Sequence, residues 1–470
     1  MLNFQHFILK FVVLFALGSS KGQAQPPLLI TAVRLVDGRG DLGIHDLLLE
    51  SDRIAAIDPA VVPDDAVVVD GAGKTVLPGL IDSHVHIAMH PMSAWTSTPT
   101  PAQSDELIIQ YLRSYLSFGI TTILDPGITA EQTLRVRALA AEHGGPDIQV
   151  AGPLLGPDGG YPSQIVSELE GIQSREDIVE ALDSFDGLRS LGVKVTMENG
   201  QLQRVWPLFS QKDRAFIMDE AASRNLPLYI HAMDRHMTRR ALRMNPGVLV
   251  HASMNGGARF AQKVASSDVF VMSTLGIVCG LSWLQRDAFW DHPAVVRAVP
   301  PAQYALLRDP ESANRTLQEA GVVYAPALPQ WLRPMSIEWM LRSLPDREAR
   351  ASAVISELYR AGVPIVVGSD AGGSPFVPFV VHGPATLMEM QLLEQAGLTP
   401  LEIIRAATQT PAEMMGLSDQ LGTIEVGKRA DLIVVPGDPL SDLTTLMAPH
   451  WVVRAGDLRQ PEDWNSPQVP

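Results

Sequence analysis

The sequence predicts an α/β protein, a (β/α)8 TIM-like barrel with a small β-sandwich domain built from both chain ends. Three observations predict it. Residues 27–75 read as short strands punctuated by Asp-Gly turns, which is hairpin chemistry. From Val76 strands alternate with helical patterns, and eight strand candidates follow, the number that closes such a barrel. Beyond residue 418 the β-like pattern returns, so the barrel reads as an insertion between two halves of one small domain.

The N-terminus comes first. Lys10 precedes an apolar run at 11–17, then small residues and Gly22-Gln23-Ala24. A positive residue, a short apolar region and small residues before a break describe a secretory leader over 1–24, cut after Ala24. The run is too short to span a bilayer comfortably, and no later segment reads as membrane-spanning. The mature protein is expected to be secreted or periplasmic. Cys279 is the single cysteine, so no intramolecular disulfide forms.

Strands are expected at 28–36, twice within 46–57 around Ser51-Asp52, and at 66–71. The barrel strands are expected at 77–87, 120–124, 148–151, 193–196, 226–231, 248–251, 269–274 and 364–370. Helical patterns such as 104–117 and 213–224 lie between most of them. An insertion at about 276–360 carries Trp283, Phe289, Trp290 and Trp331. It reads either as helices plus a lid over the barrel mouth or as a structural addition against the wall. Thr399-Pro400-Leu401-Glu402 and Thr410-Pro411-Ala412-Glu413 each offer an N-cap, a proline at the first helical position and a glutamate to complete a capping box. Strands then return at 422–427, 430–435 and 451–454. The domain plan is a leader at 1–24, a composite β-domain at 25–79 and 418–470, and the barrel at 80–417.

Composition narrows the function classes. The chain has 470 residues, 46% of them hydrophobic, enough for a barrel and a smaller domain. Its net charge of −16 would repel phosphate and argues against nucleic acid as a partner.

The candidate chemistry starts at His84-Val85-His86. Residues i and i+2 of a strand face the same side, so both imidazoles are offered to one metal ion. A lone strand histidine is more often structural than a ligand. Position changes that reading, because His231, His251 and Asp370 also end strands, and strand C-termini converge on one barrel mouth.

At this point a family resemblance is plain. Residues 76–86, Val-Leu-Pro-Gly-Leu-Ile-Asp-Ser-His-Val-His, resemble the first-strand signature of the amidohydrolase superfamily. Residues 421–439 resemble its C-terminal β-domain signature, and 406–411 also fit. Within the superfamily the chain looks most like the imidazolonepropionase-related and Xaa-Pro dipeptidase-like branch.

The resemblance implies roles. His84 and His86 would hold the more buried of two divalent ions, and His231 and His251 the second. Asp370 would bind the buried ion and shuttle the proton. Lys194 stands where binuclear members carry a lysine carboxylated by carbon dioxide, whose carbamate offers two anionic oxygens to bridge the ions. Zinc is the expected metal, with manganese and cobalt as alternatives. The implied reaction is hydrolysis of a C–N amide bond by a hydroxide held between the ions, on a dipeptide or N-acyl amino acid. The alternatives are a one-metal cyclic-amide hydrolase or deaminase, and a non-catalytic binding protein on the same fold. Assembly into a homo-oligomer is left open.

The chain also departs from its relatives. His251-Ala-Ser-Met-Asn-Gly256 stands where many carry Ile-Glu-His-Gly, and Leu124-Asp125-Pro126-Gly127 where an arginine–aspartate pair is common. Tyr161 stands where a histidine often appears. Tyr161 and His382 are the candidate substrate contacts. Asp82 has no role that the sequence assigns.

Overall fold

The structure is a computed structural model that describes residues 26–89, 100–163, 171–200, 206–283, 286–309, 333–373 and 379–465, with 311, 329 and 331 singly. The expected leader at 1–24 lies outside the described residues.

In the first sheet β1 (Leu28–Asp37) runs antiparallel to β2 (Gly40–Glu50), which pairs with β3 (Arg53–Ile57). β4 (Val67–Asp70) and β5 (Lys74–Pro78) both lie parallel to β1. The chain then turns at Gly79 and enters a second layer. There β6 (Leu80–Asp82), β7 (Ile120–Asp125) and β8 (Asp147–Val150) form one parallel sheet. A six-stranded parallel sheet follows, from β9 (Leu154–Leu155) through β10 (Val193–Thr196), β11 (Leu228–His231), β12 (Val248–Val250) and β13 (Phe270–Met272) to β14 (Ile365–Val366). β15 (Leu432–Pro436), β16 (Trp451–Arg454) and β17 (Asp457–Arg459) return to the first sheet, where β15 pairs antiparallel with β5. Both chain ends thus contribute to one branched, hydrogen-bonded sheet.

The parallel strands read as continuous apolar runs because helices cover them. β7 and β10 are buried at every position. The covering helices are α1 (Pro101–Ser117), α2 (Ala130–His143), α3 (Arg175–Asp183), α4 (Gln211–Ser223), α5 (Arg235–Ala241) and α6 (Ala258–Ala265). Hydrogen bonds cross the gaps between the two parallel sheets. Val85 pairs in parallel with Ala371. Ser83 N–H donates to the Val367 carbonyl at 2.9 Å, and Asp370 N–H to the His84 carbonyl at 2.7 Å. On the other side Leu191 N–H donates to the Val150 carbonyl at 2.8 Å.

The described part of the long insertion is helical, as α7 (Gly276–Trp283), α8 (Asp287–Trp290), α9 (Pro293–Ala298), α10 (Pro301–Arg308) and α11 (Arg333–Arg360). Trp283, Phe289 and Trp290 are buried, and Trp290 Nε1 donates to the Trp283 carbonyl at 2.7 Å. These ends of the insertion pack on the body, whereas Trp331 is 74% exposed. Most of 310–332 lies outside the described residues.

Three local expectations need correction. The strand expected over 77–87 is divided, because 74–78 joins the first sheet and 80–82 the second. The strand expected at 148–151 is β8, and the short β9 that follows it belongs to the other parallel sheet. Residues 422–427 form no strand: Gly422 has φ 94°, and the Ile424 N–H that a ladder would use donates to Asp37 Oδ2 at 3.1 Å. After β14, α12 (Pro384–Gln395), α13 (Pro400–Ala406) and α14 (Gln409–Met414) follow, with α15 (Pro461–Asn465) at the C-terminus. Thr399 caps α13 in a full capping box as expected. Thr410, however, lies inside α14, whose cap position is Thr408. Among the described residues no helix is long and apolar enough to cross a membrane.

Candidate active site

His84 and His86 lie just past β6, on either side of Val85, whose pairing with Ala371 holds the segment extended. Alternation then sends both rings the same way. Asp370 follows β14 and reaches the same point. His84 Nε2 and His86 Nε2 are 3.2 Å apart. Asp370 Oδ1 is 3.4 Å from the first and 3.2 Å from the second. All three residues are buried.

Three donor atoms at this spacing suit a cation between them. Donors about 2.1 Å from a tetrahedral ion stand roughly 3.4 Å apart, so the observed triangle has the right size. The ring electronics agree. Burial and the nearby cationic groups hold His84 well below its ordinary pKa, so it is a neutral donor. Burial opposes charge on His86, yet Asp125 and Asp370 outweigh it and raise the pKa to about 9, which marks a place built for positive charge. Asp370 Oδ1, His84 Nδ1 and His86 Nδ1 are buried without a hydrogen-bond partner. His84, His251 and Asp370 also offer ligand atoms within 4.8 Å of one another.

The remaining candidates face the same cleft, which is lined by Lys194, His231, His251, Tyr161, Leu154 and Met89 among others. Lys194 points from β10 and His231 ends β11. His251 follows β12, with Nδ1 2.9 Å from Thr274 Oγ1, which leaves its Nε2 for the cleft. The His231 and His251 rings are 4.5 Å apart, and those of His84 and His251 5.0 Å. Burial lowers the Lys194 ammonium to about pKa 7, against the pull of Asp370 and Asp125. The neutral amine is the form that reacts with carbon dioxide. His251 (φ 72°) and Asp370 (φ 60°) have left-handed backbones, a cost of about 1–2 kcal/mol each that the surrounding strands impose.

The other two candidates separate. Tyr161 lines the cleft with its ring held between His231 at 4.5 Å and Trp206 at 6.0 Å. His382 is buried against Tyr111, 4.1 Å between centroids, and its Nδ1 is 2.9 Å from Tyr115 Oη. It does not line the described cleft.

Several supporting residues were missed. Asp82 Oδ2 accepts from Ser369 Oγ and Thr386 Oγ1, both at 2.6 Å, and Oδ1 from the His84 and Ser369 N–H groups. It ties the histidine segment to the Asp370 segment. Asp125 accepts from Ile87 N–H at 2.8 Å and lies 3.6 Å from His86 Nδ1. Glu198, buried two residues past β10, lies 3.8 Å from His231 Nε2. Asp125 and Glu198 carried one signal, an acid at or just past a strand end. Gly127 and Gly373 leave space: a Cβ would come 2.4 Å from His86 at the first and 2.0 Å from Asp370 Oδ1 at the second.

Parallel strands that bring histidines, a lysine and an aspartate to one end define a metal-dependent hydrolase. Comparison with known proteins supports that class. The family model of the amidohydrolase family matches residues 75–243 and 306–457. The chain is 25% identical to N-acetylgalactosamine-6-phosphate deacetylase of Escherichia coli O157:H7 over 419 residues, covering 86% of this chain and 94% of that protein. It is 23% identical to imidazolonepropionase of Geobacillus kaustophilus (strain HTA426) over 449 residues, covering 84% and 85%. Among solved structures, a Xaa-Pro dipeptidase with bound methionine superposes with a TM-score of 0.69 at 20% identity, covering 92% of this chain and 99% of that one. The chain belongs to the amidohydrolase family, and it is an enzyme that hydrolyses carbon–nitrogen bonds.

Proposed function

We propose that this chain is an exported amidohydrolase that uses two divalent ions to cleave the amide bond of a dipeptide or an N-acyl amino acid. The observation that carries it is the triangle of His84 Nε2, His86 Nε2 and Asp370 Oδ1, with Lys194, His231 and His251 across the same cleft. In this reading the two parallel sheets close into one (β/α)8 barrel over 80–417, supported by the hydrogen bonds across both gaps. The residues 25–79 and 418–470 form the composite β-domain, and 1–24 are removed on export.

When bound, the ions supply an activated water and polarise the scissile carbonyl. His84, His86 and Asp370 would hold the buried one, His231 and His251 the other, and carboxylated Lys194 would touch both. Asp370 takes the proton of the attacking water on its carboxylate and returns it to the amide nitrogen, which leaves only as a protonated amine. Tyr161, held between two rings, directs its phenol at the substrate carbonyl or carboxylate at little entropic cost.

A one-ion hydrolase of cyclic amides is the alternative, since the triangle alone satisfies one cation. The neutral tendency of buried Lys194 favours the carbamate and hence two ions. The test is a screen of dipeptides and N-acyl amino acids with the metal-loaded enzyme. Hydrolysis that chelation abolishes and metal restores supports the proposal. Hydrolysis confined to cyclic amides, or untouched by chelation, contradicts it.

A further inference from the structure

We propose that Glu198 is a positioning residue for the second cation, acting through His231. The proposal rests on the two-ion reading above. Glu198 lies two residues beyond β10, and its side chain is 3% exposed, a depth at which a carboxylate needs specific partners. Its Oε1 accepts from Gly200 N–H at 2.8 Å, which fixes the rotamer. Its Oε2 is directed at His231 Nε2, 3.8 Å away. That nitrogen is buried and makes no hydrogen bond. A shift of about 1 Å would close the pair to ordinary length.

The arrangement settles the division of labour on the imidazole. A carboxylate only accepts, so Nε2 must carry the proton facing Glu198. The lone pair is then on Nδ1, on the opposite edge of the ring. Tyr161 stacked at 4.5 Å and His251 set edge-on at 4.5 Å leave the ring little freedom to flip. An N–H···carboxylate bond also makes the imidazole a stronger donor to a cation. His251 uses the opposite edge: Thr274 takes its Nδ1 and Nε2 is left. Two neighbouring strands thus present a Nδ1 donor and a Nε2 donor, each fixed by a different partner.

The test is cobalt(II) titration of the chelator-treated full chain, followed through the visible absorption of bound cobalt, for wild type, Glu198→Ala and Glu198→Gln. Glutamine keeps the Gly200 contact through its carbonyl oxygen but turns an NH2 toward His231 Nε2, where it meets another donor. Wild type takes two ions. In both variants the second ion's affinity falls about tenfold to a hundredfold and its band is weakened, while the first ion and the melting temperature are unchanged. If Glu198→Gln binds both ions as tightly as wild type, or loses both equally together with melting temperature, Glu198 is structural only and the proposal fails. A wild-type chain that takes up a single cobalt overturns the two-ion reading itself, and this proposal with it.

Discussion

At the scale of single residues, the site depends on the groups that orient its histidines and Asp370 as much as on those residues themselves. Asp370→Asn keeps the shape but cannot accept a proton, so kcat should fall by about 10²–10⁴ with the melting temperature nearly unchanged, measured by steady-state kinetics and calorimetry. Gly373→Ala should behave similarly, because the new methyl would displace the Asp370 carboxylate. Asp82→Ala acts differently. It leaves two hydroxyls and two backbone N–H groups without their acceptor inside the core, and should cost about 3 kcal/mol or more in chemical denaturation. The residues that meet at the cleft were legible in the sequence, since His84, His86, Lys194, His231, His251 and Asp370 all sit on or at the ends of apolar strand patterns. Asp82 and Glu198 were not, because their partners come from other strands and meet only once the register is set. The surroundings of His382 depend on distant partners in the same way, since it packs against Tyr111 and Tyr115 of α1.

At the scale of elements, local chemistry explains both successes and failures. The Thr399 capping box is self-contained within four residues and reads directly from sequence. Thr399→Ala should cost about 1 kcal/mol, measured as a shift of the denaturation midpoint with unchanged activity. The apparent second box at Thr410 fails because α14 begins two residues earlier, with Gln409 already helical. The strand expected at 422–427 fails because its backbone is committed to Asp37, 387 positions away. The division of 77–87 between two sheets was hidden for a simpler reason. Both pieces are apolar and extended, and periodicity alone does not reveal a change of sheet.

At the scale of the whole molecule, charge burial sets a pH dependence. Glu389, fully buried on α12, accepts from the Leu275 and Gly276 N–H groups at 2.8 Å, and burial still raises its pKa from 4.5 to about 7. The folded protein therefore binds a proton that the unfolded chain releases. That stability is complete below pH 4.5 and is lost as the pH rises toward 7, by at most about 3 kcal/mol. Glu389→Gln should flatten this part of the stability–pH curve in urea denaturation. The general plan, parallel strands flanked by a sheet from both chain ends, was legible because each part keeps its own hydrophobic period. How the two parallel sheets meet was not, since it rests on backbone hydrogen bonds between residues almost 300 positions apart, such as Ser83 to Val367.

The central claim is that one cleft holds two cations on two sets of side chains. Elemental analysis of the purified active enzyme tests it most directly, alongside His251→Ala and His84→Ala. The expected result is close to two divalent ions per wild-type chain, one in His251→Ala, and fewer than one in His84→Ala with activity lost in both. A fully active wild type carrying one ion or none, or a His251→Ala variant that keeps both ions, would contradict it.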